Sequence, residues 1–132
     1  MEALIAIIAA AIIMGIFDYV WLGFIAKKLY YGEMGDILLK KPNMGPAILF
    51  YAIYVVGAVV LVVLPALAAN SFMHALGYGA LLGFVAYATY DLTNLATMKG
   101  FSSKIVVIDL IWGTFITAAV CAGSYLATSL VV

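Results

Sequence analysis

The chain has 132 residues, 68% of them hydrophobic and 9% charged. A soluble domain is roughly half apolar and about a quarter charged, so this composition excludes a disordered chain, a disulfide scaffold and an ordinary soluble enzyme, and leaves an integral membrane protein. Six lysines balance six acidic residues and arginine is absent, so net charge gives no support for nucleic-acid binding, and the side chain best suited to two-point phosphate recognition is missing.

A bilayer core needs about 20 mostly apolar residues in a helix. Four segments meet that requirement, at about residues 3–26, 47–69, 72–97 and 105–131. Their apolar runs are continuous, not alternating, which disfavours a barrel. The expected fold is all-α: one membrane domain over residues 1–132, built as an antiparallel four-helix transmembrane bundle. Glu2 precedes the first span in place of a basic leader, and the apolar stretch is longer than a signal peptide's, so we read it as a retained span.

Residues 27–46 form a long loop with Lys27, Lys28, Lys40 and Lys41, and with Leu29, Tyr30, Tyr31 and Met34 among the charges. It reads either as an amphipathic segment on the membrane surface or as a solvated connector with aromatic anchors. Pro46 suits the first turn of the second span. Asn70 or Ser71 can cap the third. Gly100, Ser102 and Ser103 separate the third from the fourth, beside Lys99 and Lys104. All six lysines thus fall in two loops that share one side of a four-span bundle. The positive-inside rule places that side in the cytoplasm and both termini outside.

Three aspartates, Asp18, Asp91 and Asp109, interrupt the apolar spans. Each costs about 2.5–3.5 kcal/mol at mid-membrane, so they should face the bundle interior or a wet cavity. Asp18 precedes Lys27 by about 13 Å of helix, Asp91 precedes Lys99 by about 12 Å, and Asp109 follows Lys104 by about 7–8 Å. All three therefore belong to the cytoplasmic half, and they come from three helices.

In the third span Gly79, Gly83, Tyr87 and Asp91 recur every four residues, with Tyr90, Asn94 and Thr97 on an adjoining face. In the fourth, Asp109, Gly113, Thr117 and Cys121 repeat in the same way, followed by Ser124 and Thr128. Small residues at this spacing permit close helix approach. The second span offers Tyr51, Tyr54, Gly57 and Ala58. Spans one and four share an Asp-x-x-Trp element, Asp18 with Trp21 and Asp109 with Trp112, in which an indole can support a buried carboxylate. The expected candidate site is Asp18, Trp21, Tyr87, Tyr90, Asp91, Thr93, Asn94, Asp109 and Trp112.

The run Tyr87-Ala88-Thr89-Tyr90-Asp91-Leu92-Thr93-Asn94-Leu95-Ala96-Thr97, with Asp18-x-x-Trp21-Leu22-Gly23 and Asp109-x-x-Trp112-Gly113, resembles the signature of a bacterial family of small membrane proteins, domain of unknown function 2177. The resemblance covers essentially the whole chain. It implies a four-span inner-membrane protein and no established activity.

Three readings of the acidic layer stay open. It can bind a membrane lipid or small amphiphile at the inner leaflet, with an Asp available for acid–base work. It can be the structural polar layer of an accessory subunit that meets an unidentified membrane-protein partner. It can belong to a small proton- or cation-coupled transporter that works as a homodimer. No nucleophile–base pair marks an enzyme. Three Asp with Asn94 are hard oxygen donors suited to Mg, Ca or Mn, yet no carboxylate pair has a diagnostic spacing, so no metal is expected. His74, the only histidine, belongs to the opposite end, and Cys121 reads as a packing residue. No haem ligand pair or phosphate-cradling loop points to a cofactor.

Overall fold

The computed structural model describes residues 1–21, 23 and 44–132. Leu22 and residues 24–43 lie outside the described residues, so the expectations for the first loop fall there as well. The described elements are α1 (Glu2–Val20), α2 (Met44–Ala68), α3 (Phe72–Thr97) and α4 (Ser103–Val131). All four are long and apolar enough to cross a membrane. The third span falls where the sequence places it. The second starts three residues early, at Met44, and the fourth two residues early, at Ser103.

Local chemistry explains the ends. Pro46 occupies the first turn of α2, where its missing N–H costs nothing. Asn70 takes a left-handed φ of 55° just beyond α2, a conformation its short polar side chain tolerates. Ser71 then caps α3, accepting from the His74 N–H at 3.1 Å. Gly100, at φ 77°, turns the chain between α3 and α4, and Ser102 caps α4 by accepting from the Ile105 N–H at 3.2 Å.

Inside α2, residues Val59–Val63 form a π-helical turn. Pro65 supplies the cause. It has no N–H to give to a carbonyl one turn back and its ring crowds that carbonyl, so the helix widens just before it. A second π-helical turn holds Trp21 and Gly23, next to Asp18.

α4 lies at the centre and is the most buried of the four helices. It runs antiparallel to α3: Gly79 meets Cys121 and Ala118, and Gly83 meets Gly113 and Thr117. It also runs antiparallel to α1, where Ser124 donates to the Ala6 carbonyl at 2.7 Å and Phe17 meets Phe115 edge-on at 5.7 Å. The seam between α3 and α4 is tight. A Cβ on Gly79 would fall 2.9 Å from the Cys121 Cβ, and one on Gly83 would strike the Gly113 carbonyl.

Hydrophobicity does not separate the faces of these helices, and small residues are prominent at the contacts, beside larger ones such as Met14, Ile105 and Ile116. The interior holds Ala6, Ala10, Ala58, Ala66, Gly79, Gly83, Gly113 and Cys121. The outer surface holds Leu4, Ile8, Ile12, Ile16, Leu61, Leu81, Phe84 and Ile111. In lipid there is no hydrophobic drive to hide large residues, and at the α3–α4 seam Gly79, Gly83 and Gly113 let the backbones approach.

Candidate functional site

At the end of the bundle where α1 and α3 finish and α2 and α4 begin, an open cleft of about 480 Å³ enters the helices. The second half of α2 packs against α3, whereas its first half stands closer to α1 than to α3 or α4. That divergence opens the space. Ala47, Phe50, Tyr51 and Tyr54 line it from α2, Ala86, Tyr87 and Tyr90 from α3, Asp109 and Trp112 from α4, and Asp18 and Trp21 from α1 and its end.

Each wall follows from local sequence. Asp18 continues the inward stripe Ala6, Ala10, Met14 of α1, one helical turn apart each time. Tyr51 and Tyr54 are three residues apart on α2 and share its inner face. Tyr87 fits because Gly113 has no side chain: a Cβ there would run into the Tyr87 ring. The two Asp-x-x-Trp elements meet across helices. Trp21 stacks on Trp112 with centroids 4.4 Å apart and planes 8° from parallel. The two acids and the two indoles of these elements line one space.

Polar ties cross the floor and side of the cleft. The Tyr51 hydroxyl donates to Asp18 Oδ2 at 2.5 Å. The Tyr54 and Thr117 hydroxyls are hydrogen-bonded to each other. Asp18 and Asp109 are buried with only their edges reaching the cleft, at 9% exposure each. No lysine lines the cleft among the described residues.

Of the nine residues singled out from sequence, Asp18, Trp21, Tyr87, Tyr90, Asp109 and Trp112 come together around this space. Asp91, Thr93 and Asn94 do not line it. Asp91 is fully buried, and neither carboxyl oxygen has a hydrogen-bond partner among the described residues. Extending the α3–α4 register of Gly79 with Cys121 and Tyr87 with Gly113 brings Asp91 to the level of Asp109. Thr93 is exposed and its carbonyl accepts from Thr97 Oγ1 at 2.8 Å. Phe50, Tyr51 and Tyr54 line the cleft without being among the nine, although Tyr51 and Tyr54 are expected from spacing to belong to the core face of the second span. Their signal was the i, i+3 spacing of two aromatics close after the Pro46 start of the span.

Among the described residues no three His, Cys, Asp or Glu side chains are grouped as metal ligands would be. His74 lies against Tyr78, ring centroids 4.4 Å apart and planes tilted by 35°, near the far end of α3. The cleft can therefore offer an arriving molecule aromatic faces, phenolic hydroxyls and two carboxyl groups.

A family model described as a predicted membrane protein, DUF2177, matches residues 3–126. No curated protein and no solved structure matches the chain.

Proposed function

The chain belongs to the DUF2177 family of predicted membrane proteins, and from that premise we propose that its cleft binds a lipid or small amphiphile from the inner leaflet of a bacterial inner membrane. The observation that carries the reading is the cleft itself. Its volume of about 480 Å³ falls in the usual range of roughly 300–1,000 Å³ for small-molecule sites. Its walls are mostly aromatic, with a few polar groups converging on one region, which is the composition of a site that holds an apolar body and orients a polar head. The lysine distribution supports putting this end of the bundle at the cytoplasmic face, with both termini outside. A ligand that slides between the first half of α2 and α3 keeps its tail in hydrocarbon and brings its head to Asp18 and Asp109.

The test is to fill the cleft. Ala86, on the α3 wall, is small and half-buried. Native mass spectrometry of the purified wild-type chain should detect a bound amphiphile, and Ala86→Trp should lose it while keeping its helical content. A wild-type chain that never carries an adduct, in several lipid mixtures, ends the proposal.

A second reading is favoured by the hydrogen bonds. Tyr51 to Asp18 and Tyr54 with Thr117 fasten α2 to α1 and α4. The polar layer then serves assembly, and the protein acts as an accessory subunit. Under that reading Ala86→Trp unfolds or dissociates the bundle and no ligand is ever found.

A further inference from the structure

The pairing of ring surface with hydrogen-bond acceptors in the cleft narrows its occupant. We propose that the polar head it accepts is a neutral hydroxylated ring, of the sugar class. This rests on the cleft being a ligand site and goes on to name the chemistry of the ligand.

Ring surface reaches the space from every helix: Trp21 at the end of α1, Phe50 and Tyr54 from α2, Tyr87 from α3 and Trp112 from α4. Trp21 and Trp112 lie nearly parallel, with centroids 4.4 Å apart. Each indole has a carboxyl group three residues before it, Asp18 and Asp109, and all four side chains line the cleft. Residues three apart share a helix face, so acceptors stand one turn from each indole. A sugar ring has two kinds of surface that answer these. Its faces carry C–H groups, which are apolar and pack on the negative faces of aromatic rings. Its hydroxyls radiate around the rim and need acceptors. Aromatic walls with carboxyl groups beside them meet both demands.

The ties already present leave room for such a head. A carboxylate has about four lone-pair sites. Tyr51 takes one on Asp18, so that group keeps capacity for a ligand hydroxyl. Asp109 is also engaged, and one partner does not fill it either. The Tyr54 hydroxyl, paired with Thr117, is both donor and acceptor and can take a further bond. A hydroxyl held by a carboxylate makes a charge-assisted bond, stronger than a neutral one. A neutral head also fits whatever cation balances the acids. A head with no donors leaves those acceptors without the bonds that water would give them, which costs binding energy. The same ring occurs on glycolipids and on soluble glycosides, and the experiment separates these sources.

The chain contains two tryptophans, and both line the cleft, so indole emission reports on this space. The wild-type chain, in micelles of an alkyl polyoxyethylene detergent that carries no sugar and no charge, is titrated with four probes of equal chain length. These are octyl glucoside, its fully O-methylated form, octyltrimethylammonium and octyl sulfate. The methylated glucoside keeps the ring and loses every donor. The expected result is a saturable change in emission with octyl glucoside at least tenfold below the concentration needed for any other probe. Combined Asp18→Asn and Asp109→Asn substitution should weaken octyl glucoside at least tenfold, because each replaces a charged acceptor oxygen by a donor. Asp91→Asn, outside the cleft, should change it less than twofold. Competition by free methyl glucoside assigns the site to soluble glycosides, and competition only by a monoglucosyl diacylglycerol in mixed micelles assigns it to a lipid head; either supports the sugar class.

Equal or tighter binding of the methylated glucoside, the ammonium or the sulfate overturns the sugar assignment and leaves the ligand site standing. Absence of saturable binding by all four probes in the wild-type chain overturns both. The wild-type series decides the matter even if the double variant does not fold.

Discussion

A carboxyl group inside a membrane helix must find a partner, a cavity or a cost, and the three aspartates meet this demand differently. Asp18 has a donor in Tyr51 at 2.5 Å. Removing that hydroxyl leaves a buried acceptor with one partner fewer, at about 1–3 kcal/mol. Tyr51→Phe should lower stability by that amount, read as a reduced midpoint in denaturant titration of the detergent-solubilised chain. Asp91 is the opposite case, fully buried with neither oxygen hydrogen-bonded among the described residues. An apolar side chain of similar size abolishes an unmet desolvation penalty of about 1–3 kcal/mol. Asp91→Val should therefore raise the same midpoint, and a fall of comparable size would show that the carboxyl holds the bundle together. The aspartates were legible because any acid in an apolar run stands out. Tyr51, Phe50 and Tyr54 were not, because aromatics near a span's end serve equally well as interfacial anchors. Asn94 shares a face with Tyr90 but sits one turn further along α3, past the lining of the cleft, and Thr93 points to the exposed side of the helix.

Helices in this chain are specified by length and broken by chemistry that can be read directly. The boundaries of α3 followed from the apolar run, from Ser71 as cap and from Gly100 as turn. The π-helical turn of α2 was not read ahead, because Pro65 within an apolar run looks like ordinary span composition until its effect on the preceding turn is considered. Packing was legible through spacing, since Gly79, Gly83 and Gly113 repeat at helical intervals and all three fall in the α3–α4 seam. Gly15 and Gly77 carry no such constraint and have open space where a Cβ would be. Gly113→Ala should cost about 1–3 kcal/mol through overpacking against Tyr87 and should reshape the cleft wall. Gly15→Ala should be neutral or stabilising by up to about 1 kcal/mol, because alanine is the better helix former. Parallel unfolding curves check the pair; equal effects would mean that the seam has enough slack to absorb a methyl group.

On the scale of the whole molecule the acidic, aromatic cleft lies at the same end of the bundle as Lys99 and Lys104, and this juxtaposition sets up the functional argument. Lys99 and Lys104 flank the α3–α4 turn, beside the ends that carry Tyr90 and Asp109. Ala69 and Asn70 mark the opposite end, between α2 and α3. If the lysines face the cytoplasm, a ligand reaches the cleft from the inner leaflet; if they face outward, the same cleft samples the outer leaflet and the proposed route is reversed. Cysteine accessibility decides between these. Cys121, the one native cysteine, is buried against the α3–α4 seam and should resist maleimide in the folded chain. Ala69 and Met98 are exposed at opposite ends. In intact cells a membrane-impermeant maleimide should label the Ala69→Cys variant and spare the Met98→Cys variant, with both labelled after permeabilisation. The reverse pattern would place the lysine loops outside, against the charge rule, and would move the ligand's point of entry with them.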